Sequence, residues 1–271
     1  MRQNSGAPAL ASSRSGFASP GSSSAIERIV PGKVTEALFR EHEARYVFAG
    51  KFVKGKQVLD VACGTGIGTD YLRMAGARTC IGVDIDKGAI DLARVAYNGC
   101  TFARCDATRL CLRDGSVDVV VSFETIEHLV DHAKFLQECR RVLRPGGILI
   151  CSTPNRAISR WYAENPYHVR EFTVPEFTAM VRKVLGIFEV YVQDNKNYPL
   201  FVFRKLVAYM LDGLHLKGIV KNIVKWKPSP LCLRTEFDRT ASNQDDGIQP
   251  YSRFSLAQPT FLIAVCHKPV S

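Results

Sequence analysis

The chain lacks most of the devices that staple small folds together or tie them to membranes. Its nine cysteines (Cys63, Cys80, Cys100, Cys105, Cys111, Cys139, Cys151, Cys232 and Cys266) are odd in number. No two of them stand in the C-x-x-C spacing of zinc and thioredoxin-like redox sites. Most sit in apolar runs, where a thiol acts as a small hydrophobe, so a reducing compartment is expected. No uninterrupted apolar stretch approaches the roughly 20 residues that span a bilayer, and no signal-peptide h-region follows the N-terminus. The expectation is a cytoplasmic protein, at most peripheral to a membrane. Acids are scarce in two places: none precedes Glu27, and residues 196–234 hold one acid against eight bases.

What the chain does have is globular composition, with 46% hydrophobic and 23% charged residues over 271 positions, which excludes a fibrous or wholly disordered protein. That length buries a sizeable core in one domain. The net charge of +10 is unevenly spread, because residues 27–195 are close to neutral, with 23 bases against 21 acids. Residues 1–26 form a Ser/Gly/Ala/Pro tract expected to be a disordered tail; its two arginines and lack of acids also suit an organellar transit peptide. The expected organisation is this tail followed by one domain over 27–271, with a basic helical insertion at about 195–258 before the last strand.

Apolar spacing predicts a helix over 35–52, and then strands and helices alternate. Strands are expected at Val58–Ala62, Thr79–Val83, Thr101–Arg104, Val117–Ser122, Ile148–Ser152 and Phe188–Gln193. Helices are expected at Gly68–Ala75, Lys87–Tyr97, His132–Leu143 and Pro175–Leu185. Continuous Val/Ile/Leu strands alternating with helices signal a doubly wound, largely parallel α/β sheet. Phe261–Cys266 reads as a final strand able to pair with Phe188–Gln193 as an antiparallel hairpin.

The first strand runs into Asp60-Val61-Ala62-Cys63-Gly64-Thr65-Gly66-Ile67-Gly68, a glycine-rich turn at the sheet edge where open α/β folds bind ligands. A dinucleotide fingerprint would place its third glycine at position 69, which is Thr69 here. The second strand ends in Asp84-Ile85-Asp86, and a carboxylate there can accept from both hydroxyls of a ribose. Cys105-Asp106-Ala107 closes the third strand, Ser122-Phe123-Glu124 closes the fourth, and Leu143-Arg144-Pro145-Gly146-Gly147-Ile148-Leu149 turns into the fifth. Taken in this order, the landmarks over roughly 35–195 resemble the class I S-adenosylmethionine-dependent methyltransferases. The resemblance implies a Rossmann-like fold whose seven-stranded, mostly parallel sheet has the order 3-2-1-4-5-7-6. It also implies S-adenosyl-L-methionine as cofactor, held by Asp60, Ala62, Gly64, Gly66, Asp84, Ile85, Asp106, Ala107 and Phe123. Arg45, in the Glu41-His42-x-x-Arg45-Tyr46 stretch, matches a position that some relatives use near the methionine carboxylate; a surface Arg beside a core Tyr is the competing reading.

Methyl transfer to a hydroxyl needs that hydroxyl's proton removed, by a base or through a metal that lowers its pKa. After the fourth strand come Glu124, Glu127 and His128, which would share a face of one helical turn. This E-x-x-E-H cluster resembles the small-molecule, ubiquinone-type O-methyltransferases and the small-RNA 3′-terminal 2′-O-methyltransferases, where it is associated with a divalent cation. His168 is the candidate later ligand. Two readings stay open. Glu124, Glu127, His128 and His168 hold Mg or another divalent cation, or Glu124, His128 and His168 serve the acceptor directly, with His128 or His168 as base. The expected activity is O-methylation of a small-molecule, lipid-linked, glycan or quinone-like acceptor. The alternatives are an RNA 2′-O-methyltransferase and a non-catalytic cofactor-binding partner subunit. Within 196–234, Lys217, Lys221 and Lys225 recur every four residues beside an apolar face. That pattern fits an anionic membrane surface or a helical lid over the site, and nucleic acid less well.

Overall fold

The computed structural model describes residues 36–159, 165–193, 248–251 and 260–270. The expected tail and the basic segment 196–234 lie outside them. By compactness the chain divides into residues 194–245, none of which is described, and a unit formed by the remainder.

In that unit, strands β1 (Gln57–Val61), β2 (Thr79–Asp84), β3 (Thr101–Arg104), β4 (Val117–Ser122), β5 (Leu143–Pro154), β6 (Ile187–Gln193), β7 (Ile248–Pro250) and β8 (Phe261–His267) form one sheet. Its order is β3-β2-β1-β4-β5-β8-β6-β7. The five strands from β3 to β5 are mutually parallel. The last long strand, β8, runs antiparallel between β5 and β6, so the anticipated hairpin forms and the order 3-2-1-4-5-7-6 is reproduced across the first seven positions. The eighth strand departs from the seven expected. Ile248–Pro250 falls inside the tract read as insertion, yet pairs with Tyr191, Val192 and Gln193 at the sheet edge. Three residues are too few for alternation to show, and Pro250 suits an edge because it has no N–H to leave unpaired.

Period-2 alternation explains how both faces are covered. Leu59, Val61, Val120, Leu149, Leu262 and Ala264 point to one side, against Phe135, Leu136 and Cys139 of helix α4 (His132–Val142) and Phe177 and Val181 of helix α6 (Val174–Leu185). Val58, Val119, Val121, Ile150, Ile263 and Val265 point to the other, against helices α1 (Glu36–Gly50) and α2 (Ile67–Met74). Helix α3 (Lys87–Ala96) packs beside β2 and β3, and a short α5 (Arg156–Ser159) follows β5. Asp86 and Asp131 cap α3 and α4 by accepting from the N–H groups of Ala89 and Lys134, and Thr173 with Glu176 forms a reciprocal capping box on α6. Among the described residues no helix is long and apolar enough to cross a membrane.

One contact fixes α1 against the start of α2. A Cβ added at Gly68 would fall inside the Tyr46 ring. In an unconstrained helix, replacing Gly by Ala gains up to about 1 kcal/mol. Here Gly68→Ala is expected to cost about 2 kcal/mol through overpacking, read as a lower urea midpoint; a raised midpoint would show that the Tyr46 ring is not fixed over Gly68.

Candidate functional site

The carboxyl ends of β1, β2, β3 and β4 converge on one edge of the sheet. As the chain leaves β1 it takes left-handed backbone at Ala62 (φ 60°), Gly64 (φ 55°) and Gly66 (φ 85°). Ala62 holds this conformation despite its Cβ, a local strain of the kind that collects at ligand sites. Gly64 faces open space, whereas Gly66 is hemmed in by Phe102 and Ala93. The Gly64 N–H donates to Asp84 Oδ2 and the Asp86 N–H to Asp84 Oδ1, each at 2.9 Å. Asp84 is thus aimed at the turn and keeps spare lone pairs for a ligand. Beside it Ile85 is 55% exposed, an apolar side chain with no core role. Asp106 is exposed and accepts from Thr108 N at 2.7 Å and Thr108 Oγ1 at 2.8 Å, fixing the loop that presents the half-buried Ala107. Phe123 is buried, its ring edge-on to Tyr46 at 5.0 Å.

Beneath the turn, Asp60 accepts from Thr69 Oγ1 at 2.7 Å and from Tyr46 OH at 3.2 and 3.3 Å. Burial pushes its carboxyl up to about 7, against the pull of those two hydroxyls. Neighbouring Arg45 is 1% exposed, so the reading of it as a surface residue is corrected: α1 turns it inward. Its Nη1 donates to Gln193 Oε1 at 2.8 Å, Nη2 lies 3.3 Å from His42 Nδ1, and the guanidinium sits 4.5 Å over the Phe261 ring. Burial and the Arg45 charge hold His42 down to about 3, so its ring is neutral and accepts from Arg45. Among the described residues Arg45 forms no ion pair, and its Nε has no partner. A fully buried cation without a counter-ion is costly unless a ligand anion completes it.

The cluster after β4 differs from the single helical turn expected. The chain kinks at Glu124 (φ 50°), and only Ile126–His128 form a short 3-10 turn. The two acids therefore do not share a helical face but take adjacent partners on β5. Glu124 accepts from Ser152 Oγ at 2.6 Å, on β5. Glu127 is fully buried, with Oε2 accepting from Thr153 Oγ1 at 3.1 Å and Oε1 left without a partner. Burial, then the nearby Glu124 carboxylate, pushes Glu127 well above the usual carboxylate range. The loop around His168 is sewn to this turn, because Val169 N and Arg170 N donate to the Glu127 carbonyl at 2.8 and 3.1 Å.

Hydrogen-bond partners assign the histidine tautomers. His128 Nδ1 lies 2.9 Å from the Tyr167 carbonyl, which only accepts, so Nδ1 is the donor and in the neutral tautomer the lone pair is on Nε2. His168 Nδ1 lies 2.6 Å from Glu171 Oε1, and its Nε2 faces Asn165 Nδ2 at 3.0 Å. Asn165 Oδ1 is taken by the Tyr167 N–H, which fixes its amide. The two imidazoles meet edge-on at 4.9 Å. Ligand atoms of Glu127, His128 and His168 lie within 4.8 Å of one another; Glu124 stands outside this set, a correction to the four-residue cluster anticipated. Thr69, Ser152, Thr153, Asn165, Glu171 and Gln193 complete the site but carry no motif of their own.

The methyltransferase-domain family profile matches residues 59–151. A Mycolicibacterium smegmatis protein named as a probable S-adenosylmethionine-dependent methyltransferase is 40% identical over 173 residues, covering 60% of this chain and 67% of that protein. A Cereibacter sphaeroides ubiquinone biosynthesis O-methyltransferase is 29% identical over 211 residues, covering 71% and 74%. The first mycobacterial relatives are matched over 58–67% of their own length. Among solved structures, a Thermotoga maritima SAM-dependent methyltransferase superposes with a TM-score of 0.56 at 17% identity, over 85% of this chain and 92% of that one.

Asp60 carries a proton up to about pH 7 in the folded protein, above its ordinary value of 3.8. Between those limits the native state holds a proton that the unfolded chain has lost, so Asp60 makes stability fall as pH rises from about 4 to about 7. Asp60→Asn should remove that slope. Urea midpoints of wild type and variant across this range test it, and parallel profiles would contradict it.

Proposed function

The chain belongs to the class I S-adenosylmethionine-dependent methyltransferases, and from that premise we propose that it methylates an oxygen of a small-molecule acceptor, lipid-linked, glycan or quinone-like, with His128 as the base. The carrying observation is the Tyr167 carbonyl 2.9 Å from His128 Nδ1, which accepts a hydrogen bond from that nitrogen and leaves Nε2 as the atom able to serve as base. The O-methyltransferase name of the Cereibacter relative supports the choice of oxygen.

The cofactor's residues are assigned from the same edge. The Ala62–Gly66 turn would take the chain of the cofactor across the open space at Gly64. Asp84 would accept from the ribose hydroxyls; Ile85, Asp106, Ala107 and Phe123 would surround the adenine side. Arg45, lacking a counter-ion among the described residues, would meet the methionine carboxylate, with Asp60 holding the turn beneath. When bound, S-adenosylmethionine supplies an electrophilic methyl on a sulfonium, so the protein's work is positioning and proton removal. His128 Nε2 accepts the acceptor's hydroxyl proton, and the Tyr167 carbonyl steadies the imidazolium through Nδ1–H. His168, held by Glu171 and Asn165, and Glu124, held by Ser152, keep this wall in place.

A second reading uses the same residues. The unpartnered buried Oε1 of Glu127, beside His128 and His168, fits a divalent cation, which would lower the hydroxyl's pKa.

Two variants test the assignment. Asp84→Ala should weaken S-adenosylmethionine binding about 10- to 100-fold, the loss of hydrogen bonds to a charged acceptor, measured by calorimetric titration; unchanged affinity contradicts the cofactor assignment. His128→Ala should lower kcat by about 10²–10⁴ while cofactor affinity stays within about twofold. The acceptor comes from a labelled-methyl screen of lipid, glycan, quinone and RNA extracts with and without added Mg or Mn; label in RNA would displace the small-molecule reading. Abolition of wild-type turnover by chelator and its recovery with Mg or Mn would select the metal over the base, whereas chelator-insensitive turnover that is lost in His128→Ala would select the base.

A further inference from the structure

The loop between β3 and β4 begins and ends its first turn on cysteines. Cys105 is 8% exposed, while Cys111 is the one exposed cysteine among the described residues. The Cys111 N–H donates to Cys105 Sγ at 2.8 Å, which sets the two residues against each other across the turn. The turn is already closed without a covalent link: Arg109 N donates to the Asp106 carbonyl at 3.0 Å, and Asp106 and Arg109 form an isolated antiparallel bridge. The Cys105 thiol reaches the Arg109 carbonyl at 3.5 Å. The Cys105 sulfur is therefore held against the backbone of Cys111 in a loop whose own hydrogen bonds keep it there.

We propose that Cys105 and Cys111 form a reversible dithiol–disulfide pair, oxidised by hydrogen peroxide, that ties the ends of the loop carrying Asp106 and Ala107. Cys111 is the attacking residue because it is reachable from solvent. Cys105 is the resolving one, since burial and the neighbouring thiol push it up to about 12 and make it a poor first nucleophile. The Cys111 thiolate attacks one peroxide oxygen; an S–O bond forms, the O–O bond breaks, and hydroxide leaves and takes up a proton as water. The Cys105 thiol then attacks the Cys111 sulfenic sulfur; the S–S bond forms, the S–O bond breaks, and the departing hydroxide takes the Cys105 proton as a second water. Two thiols lose two electrons, and one peroxide becomes two waters.

This inference is independent of the methyltransfer reading, and its test does not use turnover. The full-length reduced protein is treated with stoichiometric hydrogen peroxide, the remaining thiols are alkylated, and the chain is cut with trypsin. Cleavage after Arg104, Arg109 and Arg113 separates Cys105–Arg109 from Leu110–Arg113. The expected product is these two peptides joined, two hydrogens lighter than their sum, separable by dithiothreitol and absent from Cys111→Ser. The proposal is overturned if Cys105 remains fully alkylated while Cys111 appears as sulfinic acid, as an intermolecular dimer, or linked to another cysteine.

Discussion

A carboxyl group with no access to water must be satisfied by its neighbours, and at Asp60 those neighbours come from two helices. Tyr46 reaches it from α1 and Thr69 from α2, while Asp60 itself stands in β1. The same Tyr46 ring occupies the space that a side chain at position 68 would need, and its other flank meets Phe123 at the end of β4. The left-handed turn from Ala62 to Gly66 begins one residue beyond β1, so its shape depends on how this triangle of side chains is held. Local strain at Ala62 persists only because the surroundings over-determine it.

Electrostatics at this edge follow from burial more than from net charge. Burial raises Asp60, Glu41 and Glu127 from their ordinary values, so each is harder to ionise than a carboxyl in water. The Arg45 charge opposes the shift at both Glu41 and Glu127. One buried guanidinium therefore sits among acids reluctant to ionise, an arrangement whose charge balance depends on what enters it. The near-neutral count over 27–195 conceals this contrast.

The sheet was readable because fully buried strands leave continuous apolar runs, and Val119-Val120-Val121 shows both faces covered at once. The hairpin of β6 and β8 was readable for the same reason, despite the long excursion between them. Ile248–Pro250 was not, since a three-residue edge strand flanked by polar residues leaves no period. At the site, glycines and the acid of Asp84 stand out by spacing, whereas the separate seats of Glu124 on Ser152 and Glu127 on Thr153 do not. Spacing alone favours a shared helical face; the backbone reverses at Glu124 into a conformation that sequence periodicity does not encode. Partners such as Gln193, 148 positions from Arg45, are brought in by topology alone.

Gln193 is also where the sheet surrenders and recovers the chain. It pairs with Ile248 on one side and Phe261 on the other, while its amide donates to the Glu41 carbonyl and accepts from Arg45. The tract that departs after Gln193 thus returns to the strand it left, and loop closure depends only weakly on the number of residues in between. Lengthening, shortening or replacing 194–247 need not shift the register of any strand. The sheet therefore keeps Gln193, Ile248 and Phe261 in register as one closed junction, so a contiguous stretch of sequence can be exchanged between them at the level of the gene without any strand changing its neighbour.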